Sequence, residues 1–166
     1  MKKLLTLAVI LFAANTMYAQ QGSMYAGGAL GFQEDYWKIA PEAGYWLADN
    51  IQLGVVLFLE GDNRGATEQT TVAPHVYGRY WVPISEKFSV YAGANFRVNT
   101  VSQDPGDSHT TVDLFVDAGI AYSLAPRWGM VGRLAGVGIY DSHFVLDVNM
   151  SPQSIFNVGI YYTFKE

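Results

Sequence analysis

The stretch TTVAPHVYGRYWVP, Thr70 to Pro83, decides the class of this chain. Every second residue gives Val72, Pro74, Val76, Gly78, Tyr80 and Val82, all uncharged. The alternate set is Thr71, Ala73, His75, Tyr77, Arg79 and Trp81. Alternation of period two marks a strand with two unlike faces. A soluble barrel would turn the apolar set inward and leave the polar set in water. A barrel crossing a bilayer would do the reverse, and the rest of the chain separates the two.

The same alternation recurs in eight segments, near 22–33, 36–47, 51–61, 70–82, 88–99, 110–124, 128–140 and 154–164. Most are 10 to 13 residues long. A tilted strand needs about 9–11 residues to cross a bilayer, whereas strands in soluble proteins average about 5–6. One face carries no charge in any segment: Trp37, Ile39, Pro41, Ala43, Tyr45 and Leu47 in the second, for example, and Val112, Leu114, Val116, Ala118, Ile120 and Tyr122 in the sixth. The other face carries Lys38, Glu42, Glu60, His75, Arg79, Arg97, Asp113, Asp117 and Arg133. A solvated face would be rich in Lys and Glu. This one has a single lysine among Arg, Tyr, Trp, Gly and Asn, and its four basic and four acidic residues balance. A closed set of ion pairs inside a lumen fits that composition, with the apolar face toward lipid. Outward aromatics cluster at two levels. Tyr45, Tyr80, Phe88, Tyr122, Trp128, Tyr162 and Phe164 lie near one end, and Phe32, Trp37, Phe96 and Tyr140 near the other. Rings collect at bilayer boundaries in this way. The fold expected is all-β, an eight-stranded antiparallel up-and-down transmembrane β-barrel.

The connections agree. Ala48-Asp49-Asn50, Pro83 to Lys87 and Ala125-Pro126-Arg127 are short. GDNRGATEQ, TVSQDPGDSH and DSHFVLDVNMSPQ read as long polar loops at the opposite end; only the QED tip of the first hairpin is short there. Short turns on one side and long loops on the other are the outer-membrane layout. Pro41 and Pro74 interrupt the ladders of their strands, so a bulge is expected at each.

The N-terminus reads MKKLLTLAVILFAANTMYAQ. Lys2 and Lys3 precede an apolar run from Leu4 to Ala14, too short for a spanning helix. This is the pattern of a secretory signal peptide over residues 1–19, with cleavage expected after Ala19 and a barrel domain over 20–166. Loss of the two lysines takes the formal charge from −5 to −7, which argues against nucleic-acid binding. The chain has no cysteine, so disulfides, thiolate metal sites and thiol nucleophiles are excluded.

With these residues in view, the chain resembles the small eight-stranded outer-membrane β-barrels, the OmpA- and OmpX-like members of the porin-type superfamily. The resemblance covers the mature chain. It rests on the signal segment, on APEAGYWLADNIQLGV as strand, tight turn and strand, and on the terminal NVGIYYTF. The alternating aromatics Tyr162 and Phe164 resemble the signal read by the barrel-assembly machinery, although Lys165 and Glu166 follow here. The resemblance implies outer-membrane lipids and lipopolysaccharide as surroundings and a monomer in the outer membrane. It implies no cofactor and no specific ligand.

The candidate site is the lumen. An eight-stranded interior is just wide enough for side chains to fill. Counting up from the short turns, Glu42, Arg79, Asp117 and Arg133 form a lower neutral layer and Lys38, Glu60, Arg97 and Asp113 an upper one. Burial of an isolated charge costs several kcal/mol, so pairing is expected. Leu47 and Ile51 both face out around their turn, which sets Lys38 opposite Glu60. Catalysis is not expected: the lipid face has no histidine, and His75 points into the lumen. Asp-Ser-His occurs twice, at Asp107-Ser108-His109 and Asp141-Ser142-His143. Leu124 and Trp128, both outward around a three-residue turn, put His109 across from His143, the one candidate for a metal pair. The expected role is non-enzymatic, structural or surface-interacting. A narrow channel or lipophile conduit and a rim-site lipid-modifying enzyme are the alternatives.

Overall fold

The computed structural model describes residues 21–65, 67–148 and 158–164. The expected signal segment and the last two residues lie outside this set. The described chain is strand and turn throughout: β1 (Met24–Gln33), β2 (Tyr36–Ala48), β3 (Ile51–Asp62), β4 (Glu68–Pro83), β5 (Phe88–Asp104), β6 (Ser108–Ala125), β7 (Trp128–Tyr140), β8 (His143–Val148) and β9 (Val158–Phe164). Neighbours in sequence pair antiparallel from β1 to β7. β7 then pairs with β9, and β9 with β1, from Met24↔Phe164 to Gly28↔Ile160. The sheet closes on itself as an eight-stave antiparallel barrel, which leaves no continuous sheet edge along the closed seam.

The eighth stave departs from the reading above. It is made of two pieces, β8 on the upper part of β7 and β9 on the lower. β7 advances from Gly132 to Ala135 while the stave advances from Val158 back to Val148, so the two ladders are offset in register. The segment HFVLDV, read as loop, is strand: Asp141 and Ser142 take positive φ values of 47° and 65° and make a tight turn that sends it back along β7. That conformation is the two-residue hairpin turn whose twist suits a strand pair. The start of the expected last strand, 154–157, lies outside the described residues. The other long loops also shrink. β4, β5 and β6 run for 16, 17 and 18 residues, and the β5–β6 connection is only residues 105–107. The polar ends of these strands continue the ladder past the lipid-facing part, because β-pairing satisfies their backbone groups as well as water would.

The faces sort as the alternation requires. On β4, Ala73, Tyr77, Arg79 and Trp81 are buried, while Val72, Val76 and Tyr80 are exposed. Exposed Leu53, Val55, Leu57, Val112, Leu114 and Val116 belong to the outer wall. Tyr45, Tyr80, Tyr122, Trp128 and Phe164 are exposed near the short-turn end, and Phe32, Trp37 and Phe96 near the other. Tyr140 is a correction. β7 shifts register against β6 between Ala118 and Gly119, where Leu134 is the extra residue. A one-residue slip exchanges faces, so Tyr140 turns inward, stacks on Phe115 at 5.0 Å and accepts from Arg133 at 3.2 Å. The prolines are another. The β2–β3 ladder skips Ala40 and Pro41 and resumes at Glu42↔Val56 in the same register, and β4–β5 skips Ala73 and Pro74 likewise. Each proline removes a ladder hydrogen bond without adding a residue, so neither makes a bulge.

Candidate functional site

The lumen is organised by rows of residues that neighbour one another across the strands. One row runs Tyr25, Gly44, Gly54, Tyr77, Asn95 and Phe115. Two adjacent glycines separate the two tyrosines. A Cβ on either glycine would collide with the Tyr25 hydroxyl. Bare backbone at these positions lets both phenol rings lie inward across the glycine pair, where their hydroxyls hydrogen-bond. The Tyr77 hydroxyl also donates to one oxygen of Glu42, Arg79 donates to the same oxygen at 3.2 Å, and Tyr161 donates to the other at 2.8 Å. The carboxylate of Glu42 thus gathers two phenols and a guanidinium inside the barrel. The Arg79 guanidinium lies over the ring of Tyr77 at 3.9 Å and that of Tyr91 at 4.8 Å, so aromatic faces take the place of its lost water.

A second centre gathers on Asp117. Asn95 donates to it at 2.8 Å and Tyr91 at 3.3 Å, and Arg133 stands 3.8 Å away. The Asn95 oxygen meets His75 Nε2 at 2.9 Å, which ties the histidine into the same network. Higher up, Arg97 and Asp113 are direct cross-strand partners with a contact of 2.6 Å, and Asn99 adds a bond of 2.7 Å to the same oxygen. Lys38 is set opposite Glu60; its ammonium lies 4.7 Å from the Phe58 ring centre, and Glu60 accepts from Tyr36 at 3.1 Å. Below the ionic layers, Trp46, Trp81 and Tyr91 pack together, with Trp81 donating to Gln52 at 3.1 Å.

The structure therefore brings Glu42 to Arg79, Asp117 to Arg133 and Arg97 to Asp113. It adds two kinds of residue that the sequence reading omitted. Asp147 accepts from Arg133 at 2.9 Å, and it was missed because its segment read as loop. Of the four inward tyrosines, Tyr77, Tyr91 and Tyr161 hold the carboxylates and Tyr25 bonds to Tyr77; they were missed because Tyr on a polar face looks unspecific. Paired inward glycines were the available signal, since they mark where a large ring must fit.

The histidines are not brought face to face. β6–β7 pairing ends at Asp113↔Tyr140, the chain then turns, and His143 pairs with Tyr140 on β8. The register shift at Leu134 alone would have broken the alignment. Both rings instead approach Asp141: His109 Nε2 lies 4.0 Å from its carboxylate, and His143 Nδ1 lies 2.7 Å from its carbonyl oxygen. Among the described residues no group of three His, Asp or Glu is placed to hold a metal ion. At the other rim Trp128 and Phe164 each make edge contacts with Tyr162 at 5.0 Å, and Arg127 donates to its hydroxyl at 3.1 Å.

Comparison with known proteins places this geometry. The chain is similar in structure to Neisserial surface protein A (NspA), with TM-score 0.57 and 16% identity, covering 86% of this chain and 94% of that one. It is similar to Ail, the attachment invasion locus protein of Yersinia pestis, with TM-score 0.51 and 14% identity over 87% and 99% of the two chains. It is similar also to a barrel described under "De novo design of transmembrane beta-barrels", with TM-score 0.53 and 17% identity over 89% of this chain and all of that one. Identities this low establish the shared fold alone. A comparison with curated proteins found no match. The family described as outer membrane protein beta-barrel domain matches residues 4–164. The chain belongs to the outer membrane protein beta-barrel domain family.

Proposed function

We propose that this protein is a non-enzymatic integral barrel of the bacterial outer membrane, whose lumen is filled for stability and whose outer hairpins carry its interactions. The observation that supports this is the network centred on Glu42, Arg79 and Asp117, where buried phenols, amides and ions bond one another across the barrel axis. In it the carboxylates are satisfied by phenols, amides and guanidinium groups, and the Arg79 guanidinium also by aromatic faces, rather than by a column of water. The protein is exported by a signal peptide cleaved after Ala19. It is inserted by the barrel-assembly machinery through Tyr162 and Phe164, and it sits as a monomer among outer-membrane lipids and lipopolysaccharide. The polar hairpin ends of β4, β5 and β6 stand outside and present the contact surface.

The test is planar-bilayer conductance of the refolded protein. Insertion without discrete conductance steps is the expected result. Stable unit steps that Arg79→Ala enlarges would replace the plug with a conduit. Incubation with labelled lipopolysaccharide should leave the label unmoved, and its hydrolysis or transfer would make the protein a lipid-modifying enzyme.

A further inference from the structure

Beneath the Trp46–Trp81 layer the lumen does not end in packed side chains. It opens into a cavity of about 450 Å³ at the short-turn end. In an outer-membrane barrel this end faces the periplasm. Pockets that hold small molecules measure about 300–1,000 Å³. The cavity shares Tyr25 and Tyr161 with the network above it, but none of that network's ions lines it.

Its lining has a particular chemistry. The floor is aromatic, made by Tyr25, Trp46, Trp81 and Tyr161. The walls carry amides and hydroxyls, among them Gln52, Asn50, Ser89, Ser123 and Thr163. Long branched aliphatic side chains, which an acyl chain would need, are few: Val131 is the one β-branched aliphatic residue in the lining. The charged residues, Asp49, Lys87 and Arg127, are exposed on the turns and of mixed sign, so the mouth selects no strongly charged ligand. Gln52 and Ser89 are buried, at 5% and 7% exposure, so polar groups have been carried to the depth of the pocket.

The rim is held in shape. The Asn50 carbonyl accepts from Trp81 at 2.8 Å, the Lys87 carbonyl from Ser123 at 2.8 Å, and the Arg127 carbonyl from Thr163 at 2.9 Å. Each short turn is thereby fastened to the strand beyond its own hairpin. A mouth closed by three such bonds needs no ordering when a ligand enters.

We propose that this cavity is a periplasm-facing binding site for a neutral saccharide of one or two rings. A sugar ring presents polarised C–H groups on its face and hydroxyls around its edge. Aromatic faces are electron-rich and receive the first. Amide and hydroxyl side chains around the wall receive the second. An anionic or lipid-like ligand would be served by neither the mixed mouth nor the sparse aliphatic lining.

The experiment uses the full mature protein, folded in lipid nanodiscs so that no detergent sugar competes. Maltose and N,N′-diacetylchitobiose are titrated while tryptophan emission is followed. Three of the four tryptophans, Trp46, Trp81 and Trp128, line the cavity and report its filling. A saturable change at millimolar sugar is expected for at least one of the two. Ser123→Phe fills the cavity and should abolish the change. Asn50→Ala alters only a turn side chain and should weaken binding about tenfold, the worth of one lost hydrogen bond. Heat-modifiable gel mobility checks that both variants are folded. Absence of a saturable change in the parent with either sugar overturns the proposal. So does binding that persists unchanged in a folded Ser123→Phe or Asn50→Ala protein.

Discussion

The lumen is decided by individual residues whose partners are specific. Glu42 is the clearest case, because three donors converge on it and its neighbours leave it little water. Removing it strands the Arg79 charge and two phenols together. Removing Arg79 leaves a carboxylate that Tyr77 and Tyr161 still serve. Breaking a buried ion pair costs about 3–5 kcal/mol, so Glu42→Leu should fall at the upper end and Arg79→Met at the lower. The double variant should lose less than Glu42→Leu alone, since no unpaired charge remains. Urea unfolding in lipid vesicles, arranged as a double-mutant cycle, measures this, and purely additive effects would deny that the pair is coupled. Apart from Asp147, the charged members of the network were legible in the sequence, because a charge on the face opposite a lipid-facing stripe has nowhere else to go. The tyrosines and Asp147 were not. A phenol is at home in lumen, belt or core, and only the glycines facing it say which.

At the scale of the element, β7 shows how little a sequence says about register. Gly132-Arg133-Leu134-Ala135-Gly136 carries no mark of a bulge, yet Leu134 is inserted between the pairs Gly119↔Arg133 and Ala118↔Ala135. The lower ladder keeps the register that the outward flanks of the turn imply, and the upper ladder is displaced by one. That displacement turns Tyr140 inward and moves any continuation past His143. It also produces a sharp expectation. Deleting Leu134 removes the extra residue and leaves every pair above and below as it was, with Arg133 still inward beside Asp117. The deletion should fold and keep its heat-modifiable mobility. Deleting Val137 instead slips the strand by one residue and sends Tyr140 toward lipid, because the side-chain period is two. That variant should fail to fold. Failure of the Leu134 deletion together with success of the Val137 deletion would place the bulge elsewhere. The strands themselves were readable because their alternation is imposed along ten or more residues by two different media. The hairpin at Asp141-Ser142 was not, since a polar tight turn and the start of a polar loop are written with the same residues.

For the whole molecule the decisive property is the order of media around the wall: lipid outside, ion pairs and aromatic rings inside. The outward band contains exposed Leu57 on β3 and Val116 on β6, each well away from the strand ends. Leu47 and Leu124 are also exposed and outward, but lie beside the short turns Asp49-Asn50 and Pro126-Arg127. In water all four positions would accept arginine at the same small cost. In a bilayer the cost depends on depth, about 2–4 kcal/mol for arginine at the midplane and about 0–1 near the interface. An arginine at the edge can send its guanidinium along the wall to the headgroups, while one at the centre must draw water or thin the membrane to reach them. Leu57→Arg and Val116→Arg should therefore each lose about 2–4 kcal/mol on refolding into lipid vesicles, and Leu47→Arg and Leu124→Arg no more than about 1 kcal/mol. All four variants place the same side chain on the outward wall at different depths, so the gradient itself is the result. A flat profile would mean that the apolar face does not meet lipid, and the inward network would then need another reason for its charge balance.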